Sequence, residues 1–459
     1  MGRLKTYRVI IALSILLSSL GGARAQDVRP GGGMGIRQPA APAPTVVPVL
    51  PPTDAPAIDD VLPQLTDEQP VFSRQGVLVE KLDGGVVSAQ AADQSFNPAS
   101  AVKLTTALAA LRTFGAKHRF ATAVWIEGTF DKPTGTVRGN LIVSGRDPSF
   151  HYEHAVAVAR ELNSLGIRTV TGDLIVAPRF TMNFSSSSQR SGEAFYDTLD
   201  ATRRTAAATR AWYDMRLALG DASGLMSAPS VAVMGAVYVD SVPKAARVVL
   251  THYSPPLVDV LKVLLCYSNN FMAERLGDSL GGPAGVKRLL TTELDLDADT
   301  VRLSSTSGLG VNRVTPRQMM KVYRALLAEL KNSNLKAADI LPVAGVDPGT
   351  LQRRYAESAA RGSVIGKTGT LSRTDGGASA LVGQLRTGEG ETLLFVIFNQ
   401  RGNVSRFRQA QDALIADIQQ QRGGPAPFTY TPHTLAMRLA ASEFDSAKPV
   451  GTDEYEQQN

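Results

Sequence analysis

Apolar and polar residues are unevenly distributed along the chain, and residues 1–60 differ from the rest. An apolar run from Val9 to Leu20 follows three basic residues. It is too short to cross a bilayer but has the length of a signal-peptide core. Ala23-Arg24-Ala25 supplies the small residues of a cleavage site, which predicts a signal peptide over residues 1–25. An uncleaved membrane anchor is the alternative. Residues 26–60 are rich in Pro, Gly, Ala and Val, and they predict a linker without a packed core.

Regular patterns of apolar residues begin near Val71. Residues 76–82 and 86–89, separated by the turn Asp83-Gly84-Gly85, predict an antiparallel hairpin. Behind Asn97-Pro98, apolar residues recur at helical spacing as far as Phe114. This spacing predicts a helix that begins at Ser100.

Residues 121–244 interrupt this pattern and are predicted to form an inserted, mainly β region. They contain short strand candidates, a polar run at residues 185–188 and one helix, at about residues 153–165. Helical patterns return further on, over residues 257–280 and 316–330. The C-terminal part contains three strand candidates and then an amphipathic helix, at residues 363–370, 378–385, 392–399 and 404–419.

These patterns predict a mixed α/β (α+β) protein with more than one core, as the length of 459 residues also indicates. Residues 61–120 and 245–425 are expected to form the two halves of one main domain, which flank the inserted region at 121–244. Residues 426–459 are first rich in Pro and then acidic. We expect them to be a disordered tail.

The charge of the chain argues against nucleic acid as a partner. The formal charge is +6, but residues 1–25 carry four basic residues and no acidic ones, so the mature chain carries +2. Such a small charge gives no electrostatic reason to bind nucleic acid. Cys266 is the only cysteine, so the chain has neither an intrachain disulfide nor a cysteine for a lipid anchor. We expect an exported bacterial protein, in the periplasm or at the cell surface, that is not inserted in a membrane once its signal peptide is removed.

Three short motifs carry the candidate chemistry. They are Ser100-Ala101-Val102-Lys103, Ser268-Asn269-Asn270 and Lys367-Thr368-Gly369-Thr370. In this order they match the S-x-x-K, S-x-N and K-T-G set of enzymes that form an acyl-enzyme on a serine without a histidine. The first two motifs are weak alone, because S-x-x-K recurs at residues 241–244 and 333–336 and S-x-N at residues 95–97. The third is rarer by chance and falls on a predicted strand.

The spacing in the first motif suits a serine nucleophile. Position i+3 on a helix lies one turn on, so the Lys103 amine can reach the Ser100 hydroxyl. The amine accepts a proton only when it is neutral, and burial near a second cation such as Lys367 lowers its pKa. The N-terminus of the helix favours an oxyanion on the substrate. In the third motif, Gly369 allows close backbone approach and Thr370 can present its N–H to a carbonyl oxygen.

Three further patterns offer alternatives. Residues 277–281 match the G-x-S-x-G motif of α/β-hydrolases, but a helical pattern rather than a strand precedes Ser279. His151 and His154 could suggest zinc, but no convincing third ligand accompanies them, so solvent-facing histidines at a helix start are the simpler interpretation. Tyr267-Ser268-Asn269 also matches Y-x-N, the second motif of class C β-lactamases and related esterases.

With these motifs, the sequence resembles the D-alanyl-D-alanine carboxypeptidase/endopeptidase family of low-molecular-mass class C penicillin-binding proteins, peptidase family S13. The resemblance spans about residues 71–419. It includes segments outside the motif residues: Asn97-Pro98-Ala99, Tyr253-Ser254-Pro255-Pro256-Leu257, Phe271-Met272-Ala273-Glu274, Ser307-Gly308-Leu309, Leu341-Pro342-Val343-Ala344-Gly345 and Gly349-Thr350-Leu351. Two features depart from the family. The insertion is shorter than usual, and Ser305 stands where an acidic residue is usual.

The resemblance implies a serine β-lactamase/DD-transpeptidase-like fold, with an antiparallel sheet flanked by helices. It also implies roles for the motif residues. Ser100 would be the nucleophile and Lys103 its base. Ser268 and Asn270 would be the proton shuttle and the contact to the substrate amide. Lys367 and Thr368 would bind the substrate carboxylate, on the strand that continues through Gly369 and Thr370. The N–H groups of Ser100 and Thr370 would form the oxyanion hole. No metal or organic cofactor is implied.

The expected activity is hydrolysis of the terminal D-Ala-D-Ala bond of peptidoglycan stem peptides in the periplasm, through an acyl-enzyme on Ser100. Cross-links between D-amino acids are a second expected substrate, and β-lactams would act as covalent inhibitors. Two alternatives stay open: a wall-binding or penicillin-binding protein with a slow site, and a class C β-lactamase-like esterase. Sequence motifs indicate which reaction a site can carry out, but they do not indicate how fast the site carries it out.

Overall fold

The computed structural model describes residues 74–220, 228–356 and 360–446. The first range contains β1 (Arg74–Lys81), β2 (Val86–Gln90), α1 (Lys103–Phe114), β3 (Ala121–Asp131), β4 (Thr136–Gly145), α2 (Tyr152–Ser164), β5 (Thr169–Val170), β6 (Leu174–Val176), α3 (Ser188–Leu199) and α4 (Ala206–Ala218). The second contains β7 (Ala232–Val233), β8 (Val237–Val239), β9 (Arg247–Tyr253), α5 (Leu257–Tyr267), α6 (Asn270–Ser279), α7 (Gly282–Glu293), α8 (Pro316–Asn332) and α9 (Ala337–Ile340). The third contains β10 (Val364–Leu371), β11 (Ala378–Arg386), β12 (Thr392–Gln400), α10 (Val404–Gln420), α11 (Leu435–Ala440) and β13 (Glu443–Ser446).

The main sheet has five antiparallel strands in the order β10-β11-β12-β1-β2. The pairing of β1 with β12 joins the N-terminal hairpin to the three C-terminal strands. In β12 every residue after Thr392 is buried. Because successive side chains of a strand point to opposite faces, this sheet is covered on both sides.

Helices supply both covers. On one face, Leu394 and Phe398 of β12 join the core that is built largely from α1, α5 and α8. On the other face, Phe395 and Ile397 pack with Ile415 of α10. The sheet therefore lies between α10 and a layer of helices, which is the architecture that the resemblance implies.

The inserted region forms a second, mixed sheet with its own core. β3 pairs antiparallel with β4 and β9, whereas β5 to β8 are added in parallel pairs. This sheet also contains β9 and β13, which lie outside residues 121–244. The described part of the insertion holds three helices rather than the one predicted. α3 buries few large apolar side chains, chiefly Phe195 and Leu199, so no run of apolar residues marks it in the sequence.

The C-terminal segment differs from the expected disordered tail. Residues 426–446 contain α11 and β13, and β13 pairs antiparallel with β9. Arg119 donates to the carbonyl oxygen of Ala441 at 2.7 Å, and Arg438 pairs with Asp259 at 2.6 Å. The prediction was wrong here because composition does not show these long-range contacts. Residues 447–459, the predicted signal peptide and the linker lie outside the described residues. No helix of the described ranges is long and apolar enough to cross a membrane.

Candidate active site

Ser100 lies in a short 3-10 turn, Ala99–Val102, that leads directly into α1. The predicted α-helix therefore begins at Lys103, and the candidate nucleophile precedes it. Ala99 adopts a left-handed φ of 46°. Gly308 packs so closely against the turn that a Cβ there would lie 2.0 Å from the Ala99 carbonyl oxygen. Only a glycine at position 308 allows the loop that contains it to pack against the turn that holds Ser100.

Lys103 is fully buried, and its amine lies between three oxygen atoms. Its Nζ is 2.9 Å from Ser100 Oγ, 2.7 Å from Asn270 Oδ1 and 2.6 Å from the carbonyl oxygen of Ser307. A neutral amine has two N–H groups and one lone pair. The amide and carbonyl oxygens can only accept, so they use the two N–H groups and leave the lone pair for the Ser100 hydroxyl. In this geometry a neutral Lys103 can accept the serine proton.

The surroundings of Lys103 favour its neutral form. Burial lowers the pKa of Lys103 well below its usual value, the charge of Lys367 lowers it further, and the Glu274 carboxylate opposes both. Burial also lowers the pKa of Lys367, to about 7. In each case the amine loses the water that stabilises its cation. When it is protonated, Lys367 is the cationic neighbour of Lys103 that the sequence suggested.

The second motif lies in the turn between α5 and α6. Ser268 ends α5 in the left-handed conformation, with φ 56°, and Asn269 caps α6 by accepting from the Met272 N–H at 2.9 Å. Lys367 Nζ donates to Ser268 Oγ at 2.9 Å, while the next helical residue, Asn270, contacts the other lysine. These contacts favour the S-x-N register over Y-x-N, because Asn269 is occupied by the helix cap.

The third motif lies on β10, an edge strand of the main sheet. Lys367 is fully buried and also donates to the carbonyl oxygen of Thr368 at 2.7 Å. A Cβ at Gly369 would lie 2.6 Å from the Pro98 carbonyl oxygen. Glycine therefore allows the strand to lie directly against the serine turn. Thr368 is buried, and Thr370 stands half-buried at the end of the motif. The structure brings all the predicted site residues to one place.

Glu274 belongs to this site although it is outside the three motifs. It lies one turn after Asn270 on α6, and it accepts from the Ser307 N–H and the Thr306 hydroxyl, each at 2.9 Å. The carbonyl oxygen of the same Ser307 accepts from the Lys103 amine. Glu274 therefore positions the carbonyl that orients the lysine. Its i+4 spacing from Asn270 is the signal in the sequence that could have found it.

A second group that the motifs omit holds the serine turn in place. Asn97 Oδ1 accepts from the Ala99 N–H at 3.0 Å, and Asn97 Nδ2 donates to Asp375 Oδ2 at 2.7 Å. Arg313 binds both oxygens of Asp375, at 2.8 and 2.7 Å. The segment before the serine is thus tied to two loops that are distant in sequence.

The residues of the alternative patterns have other roles. Ser279 ends helix α6, so it does not follow the strand that a nucleophile elbow requires. His151 and His154 are buried, not solvent-facing as expected. His154 Nδ1 accepts from the His151 N–H at 3.1 Å, and its Nε2 lies 3.0 Å from the carbonyl oxygen of Leu439. Within the described residues, no group of three His, Cys, Asp or Glu side chains could hold a metal ion.

Comparison with known proteins identifies the family. The family model of D-Ala-D-Ala carboxypeptidase 3 (S13) matches residues 58–211 and 217–420. The chain belongs to this family. It is therefore a serine-type peptidase of the D-Ala-D-Ala carboxypeptidase class, and the resemblance stated from the motifs is confirmed.

Individual relatives agree with this assignment. A D-alanyl-D-alanine carboxypeptidase of Actinomadura sp. (strain R39) is 27% identical over 451 residues, which covers 76% of this chain and 82% of that protein. Carboxypeptidase Rv3627c of Mycobacterium tuberculosis is 26% identical over 437 residues, which covers 84% and 90%.

Solved structures confirm the predicted α+β fold. The predatory endopeptidase Bd0816 of Bdellovibrio bacteriovorus, solved in complex with an immunity protein, matches with a TM-score of 0.68 at 23% identity, and the match covers 81% of this chain and 100% of that one. Penicillin-binding protein 4 of Haemophilus influenzae, solved with a β-lactam, matches with a TM-score of 0.55 at 22% identity, and the match covers 75% and 97%.

Proposed function

We propose that this chain is a periplasmic DD-peptidase that hydrolyses the terminal D-Ala-D-Ala bond of peptidoglycan stem peptides through an acyl-enzyme on Ser100. One observation carries the proposal. The Lys103 amine lies 2.9 Å from the Ser100 hydroxyl, while two oxygens that can only accept hydrogen bonds orient it. This arrangement supplies the proton acceptor that a serine nucleophile needs when no histidine is present.

In the acylation step, Ser100 Oγ attacks the carbonyl carbon of the penultimate D-Ala, and its proton passes to the neutral Lys103 amine. The carbonyl oxygen becomes an oxyanion, which the N–H groups of Ser100 and Thr370 stabilise. When the C–N bond breaks, Ser268 gives its hydroxyl proton to the leaving nitrogen and recovers one from protonated Lys103. The terminal D-Ala leaves with a neutral amine, and Lys103 is again neutral.

Hydrolysis of the acyl-enzyme reverses the roles. Lys103 takes a proton from a water molecule as the water oxygen attacks the ester carbon, and the Ser100 oxygen recovers that proton when it leaves. Lys367 and Thr368 hold the substrate carboxylate during acylation. A carboxylate beside Lys367 favours its cationic form and so opposes the effect of burial on its pKa.

The same site can accept a cross-link between two stem peptides. The outer edge of β10 pairs with residues 342–343 near its start, and the edge beyond Lys367 can add an extended peptide as a further strand. The D-centre of a cross-link carries a carboxylate, which Lys367 and Thr368 can hold as they hold that of a terminal D-Ala.

β-Lactams are expected to acylate Ser100 in the same way as the substrate. A solved structure of the Bdellovibrio endopeptidase Bd3459, which matches this chain with a TM-score of 0.66 at 21% identity, is acylated by penicillin G. That complex supports covalent inhibition of this chain, because the two proteins share a fold and this chain has a serine and a lysine in contact.

The decisive test is covalent labelling of the mature protein by a fluorescent penicillin, followed by mass spectrometry of the labelled peptide. Ser100→Ala should abolish labelling and leave the circular dichroism spectrum unchanged, because a half-buried hydroxyl contributes little to packing. Ser279→Ala is the matched control and should be labelled like the wild type. Labelling that survives Ser100→Ala and maps to another serine would refute the role of Ser100.

The activity is tested on two substrates with the same protein. It should release D-Ala from a stem pentapeptide and convert cross-linked muropeptide dimers to monomers. Release of D-Ala without cleavage of dimers would restrict the activity to that of a carboxypeptidase. Inertness toward both substrates, with intact penicillin labelling, would favour the wall-binding alternative. Export is tested by N-terminal sequencing of the periplasmic protein, which should begin at Gln26.

A further inference from the structure

A buried ion pair outside the three motifs joins α5 to residues 341–350, here called the edge segment. Lys262 of α5 and Asp347 have no exposed side-chain surface, and Lys262 Nζ lies 2.6 Å from Asp347 Oδ2. The same amine donates to the carbonyl oxygens of Ala338 and Leu341, at 2.8 and 2.7 Å. Both ions lose their water on burial, so such a pair adds little net stability but can fix the segments that carry it.

The Asp347 carboxylate holds the part of the edge segment that covers the outer edge of β10. The Val343 N–H donates to Asp347 Oδ2 at 2.8 Å. The residue before it, Pro342, accepts from the Gly366 N–H at 3.2 Å. This pairing ends at Gly366, directly before Lys367. Asp347 therefore fixes the edge of the strand up to the first residue of the third motif.

The edge segment also holds the end of α5. The Thr350 N–H donates to the carbonyl oxygen of Cys266 at 2.9 Å. Gly349 packs so closely there that a Cβ would lie 2.1 Å from the same oxygen. Cys266 lies one turn after Lys262 on α5 and two residues before Ser268. The last turn of α5 is thus tied to the edge segment twice, by the ion pair and by the Cys266 carbonyl.

Tyr430 fixes the orientation of the Asp347 carboxylate. Its hydroxyl donates to Asp347 Oδ1 at 2.8 Å, and Lys262 Nζ lies 4.9 Å from the centre of its ring. The carboxylate therefore accepts from Tyr430 on one oxygen and from Lys262 and the Val343 N–H on the other. With donors on both oxygens, it cannot turn without breaking these bonds.

We propose that Asp347 is a positioning residue that places the Ser268 hydroxyl for its proton transfer to the leaving nitrogen. Ser268 follows α5 and Lys367 lies on β10, and the two side chains meet at 2.9 Å. Asp347 is tied to both elements. This inference rests on the proposed function, in which Ser268 donates that proton. Without the charge of Asp347, Lys262 is an unpaired buried cation, α5 shifts against the edge segment, and Ser268 is displaced.

The test compares two substrates with the same acyl part: a D-Ala-D-Ala peptide, and a thioester whose leaving thiol carries the same carboxylate. The leaving amine needs a proton, whereas a thiolate leaves without one. In Asp347→Asn, the amide can still bond to the Val343 N–H and to Tyr430, so chiefly the charge is lost. This variant should lower kcat/KM for the peptide by about a hundredfold, as a displacement of about 1 Å can. The thioester should lose much less.

Matched variants separate this role from stability. Asp259→Asn removes another ion pair of α5, with Arg438, and should keep the wild-type ratio of the two kcat/KM values. Tyr430→Phe keeps the buried ion pair and should change the ratio in the same direction as Asp347→Asn but by less, which preserves the test if Asp347→Asn does not fold. The double variant Lys262→Met/Asp347→Asn leaves no buried charge unpaired, so it should regain Tm but keep the altered ratio.

A second readout does not depend on peptide hydrolysis. The nitrogen of a β-lactam also takes up a proton when its ring opens, so Asp347→Asn should slow acylation by penicillin by about ten- to a hundredfold. In a Ser268→Ala background the same change should have little further effect, because the group that Asp347 positions is absent.

Three results would overturn the inference: equal losses on the peptide and the thioester, a ratio that recovers together with Tm in the double variant, or the same slowing of penicillin acylation with and without Ser268. If the wild type cleaves neither the peptide nor the thioester, the proposed function fails. The penicillin rates of the four proteins then still decide the role of Asp347.

Discussion

Glu274→Gln separates the charge of this residue from its hydrogen bonds. A glutamine keeps one oxygen for the Ser307 N–H, and its NH₂ group can donate to Thr306 Oγ1. Only the long contact with the Thr306 N–H, 3.4 Å in the wild type, is lost. The Thr306 hydroxyl can then donate to the carbonyl oxygen of Ala273, which lies 3.1 Å away. The substitution therefore removes a negative charge and leaves the Ser307 carbonyl oxygen in place beside the Lys103 amine.

The expected effect follows from the groups around Lys103. Burial and Lys367 lower the pKa of Lys103, and the Glu274 carboxylate raises it. An opposite charge within about 4–6 Å changes a pKa by about 1–3 units. Glu274 acts across the Ser307 peptide and is half-buried, so we take the low end, which corresponds to about 1.4 kcal/mol. Without this charge the neutral amine persists to lower pH, and the acid limb of the pH–rate profile moves by about one unit toward acid.

The assay is the second-order rate constant for acylation by a fluorescent penicillin, measured over about pH 5–9. On the acid limb the Glu274→Gln variant should react faster than the wild type, by up to about tenfold. Its plateau at higher pH should be somewhat lower, because a less basic amine is a weaker proton acceptor. Asp278→Asn removes an exposed acid from the same helix and should leave the profile unchanged. A Glu274→Gln profile with the wild-type midpoint, or one shifted toward alkaline pH, would refute this reasoning.

Two further predictions concern the lysines and a buried histidine. Lys103→Arg should stop acylation by penicillin, because a guanidinium does not give up its proton near neutral pH. Lys367→Arg should mainly raise KM. A lysine with a pKa of about 7 loses its charge above pH 7, which raises KM there, and the arginine should remove this rise. Equal losses of kcat in the two variants would contradict the assignment of different roles to Lys103 and Lys367. Burial lowers the pKa of His252 in the folded protein well below its usual value of 6.5. As the pH falls, this histidine is therefore protonated in the unfolded chain at a higher pH than in the folded protein. The free energy of unfolding decreases as the pH falls below 6.5. His252→Phe, which removes two ring nitrogens that lack hydrogen-bond partners among the described residues, should reduce the fall in Tm between about pH 8 and 5; an unchanged fall would contradict it.

Local patterns were sufficient to predict several elements. The amphipathic helix expected over residues 404–419 is α10, Val404–Gln420, and the hairpin expected over residues 76–89 is formed by β1 and β2. These segments bury a face whose spacing is visible in the sequence itself. The motif residues could also be identified from the local sequence, because each motif combines particular residue types with a predicted helix or strand.

Elements held by distant contacts could not be predicted in this way. β13 contains four residues and is stable because it pairs with β9, nearly two hundred positions earlier in the chain. Residue Arg408 illustrates the same limit for the site. Its Nη2 donates to Thr370 Oγ1 at 2.8 Å because of the way α10 packs on the sheet, and nothing in the residues around it predicts this contact.

The chemistry of Lys103 is a property of the whole fold rather than of its motif. A lysine at i+3 from a serine on an exposed helix would keep an ordinary pKa, would stay protonated and could not accept the serine proton. Here burial and the charge of Lys367 lower the pKa of Lys103, and the carboxylate of Glu274 limits this effect. The lysine that lowers the pKa comes from K-T-G, and the carboxylate comes from the helix that S-x-N begins. In the proposed mechanism the three motifs therefore act only together: S-x-x-K supplies the serine and the lysine, and the other two segments set the protonation state of that lysine.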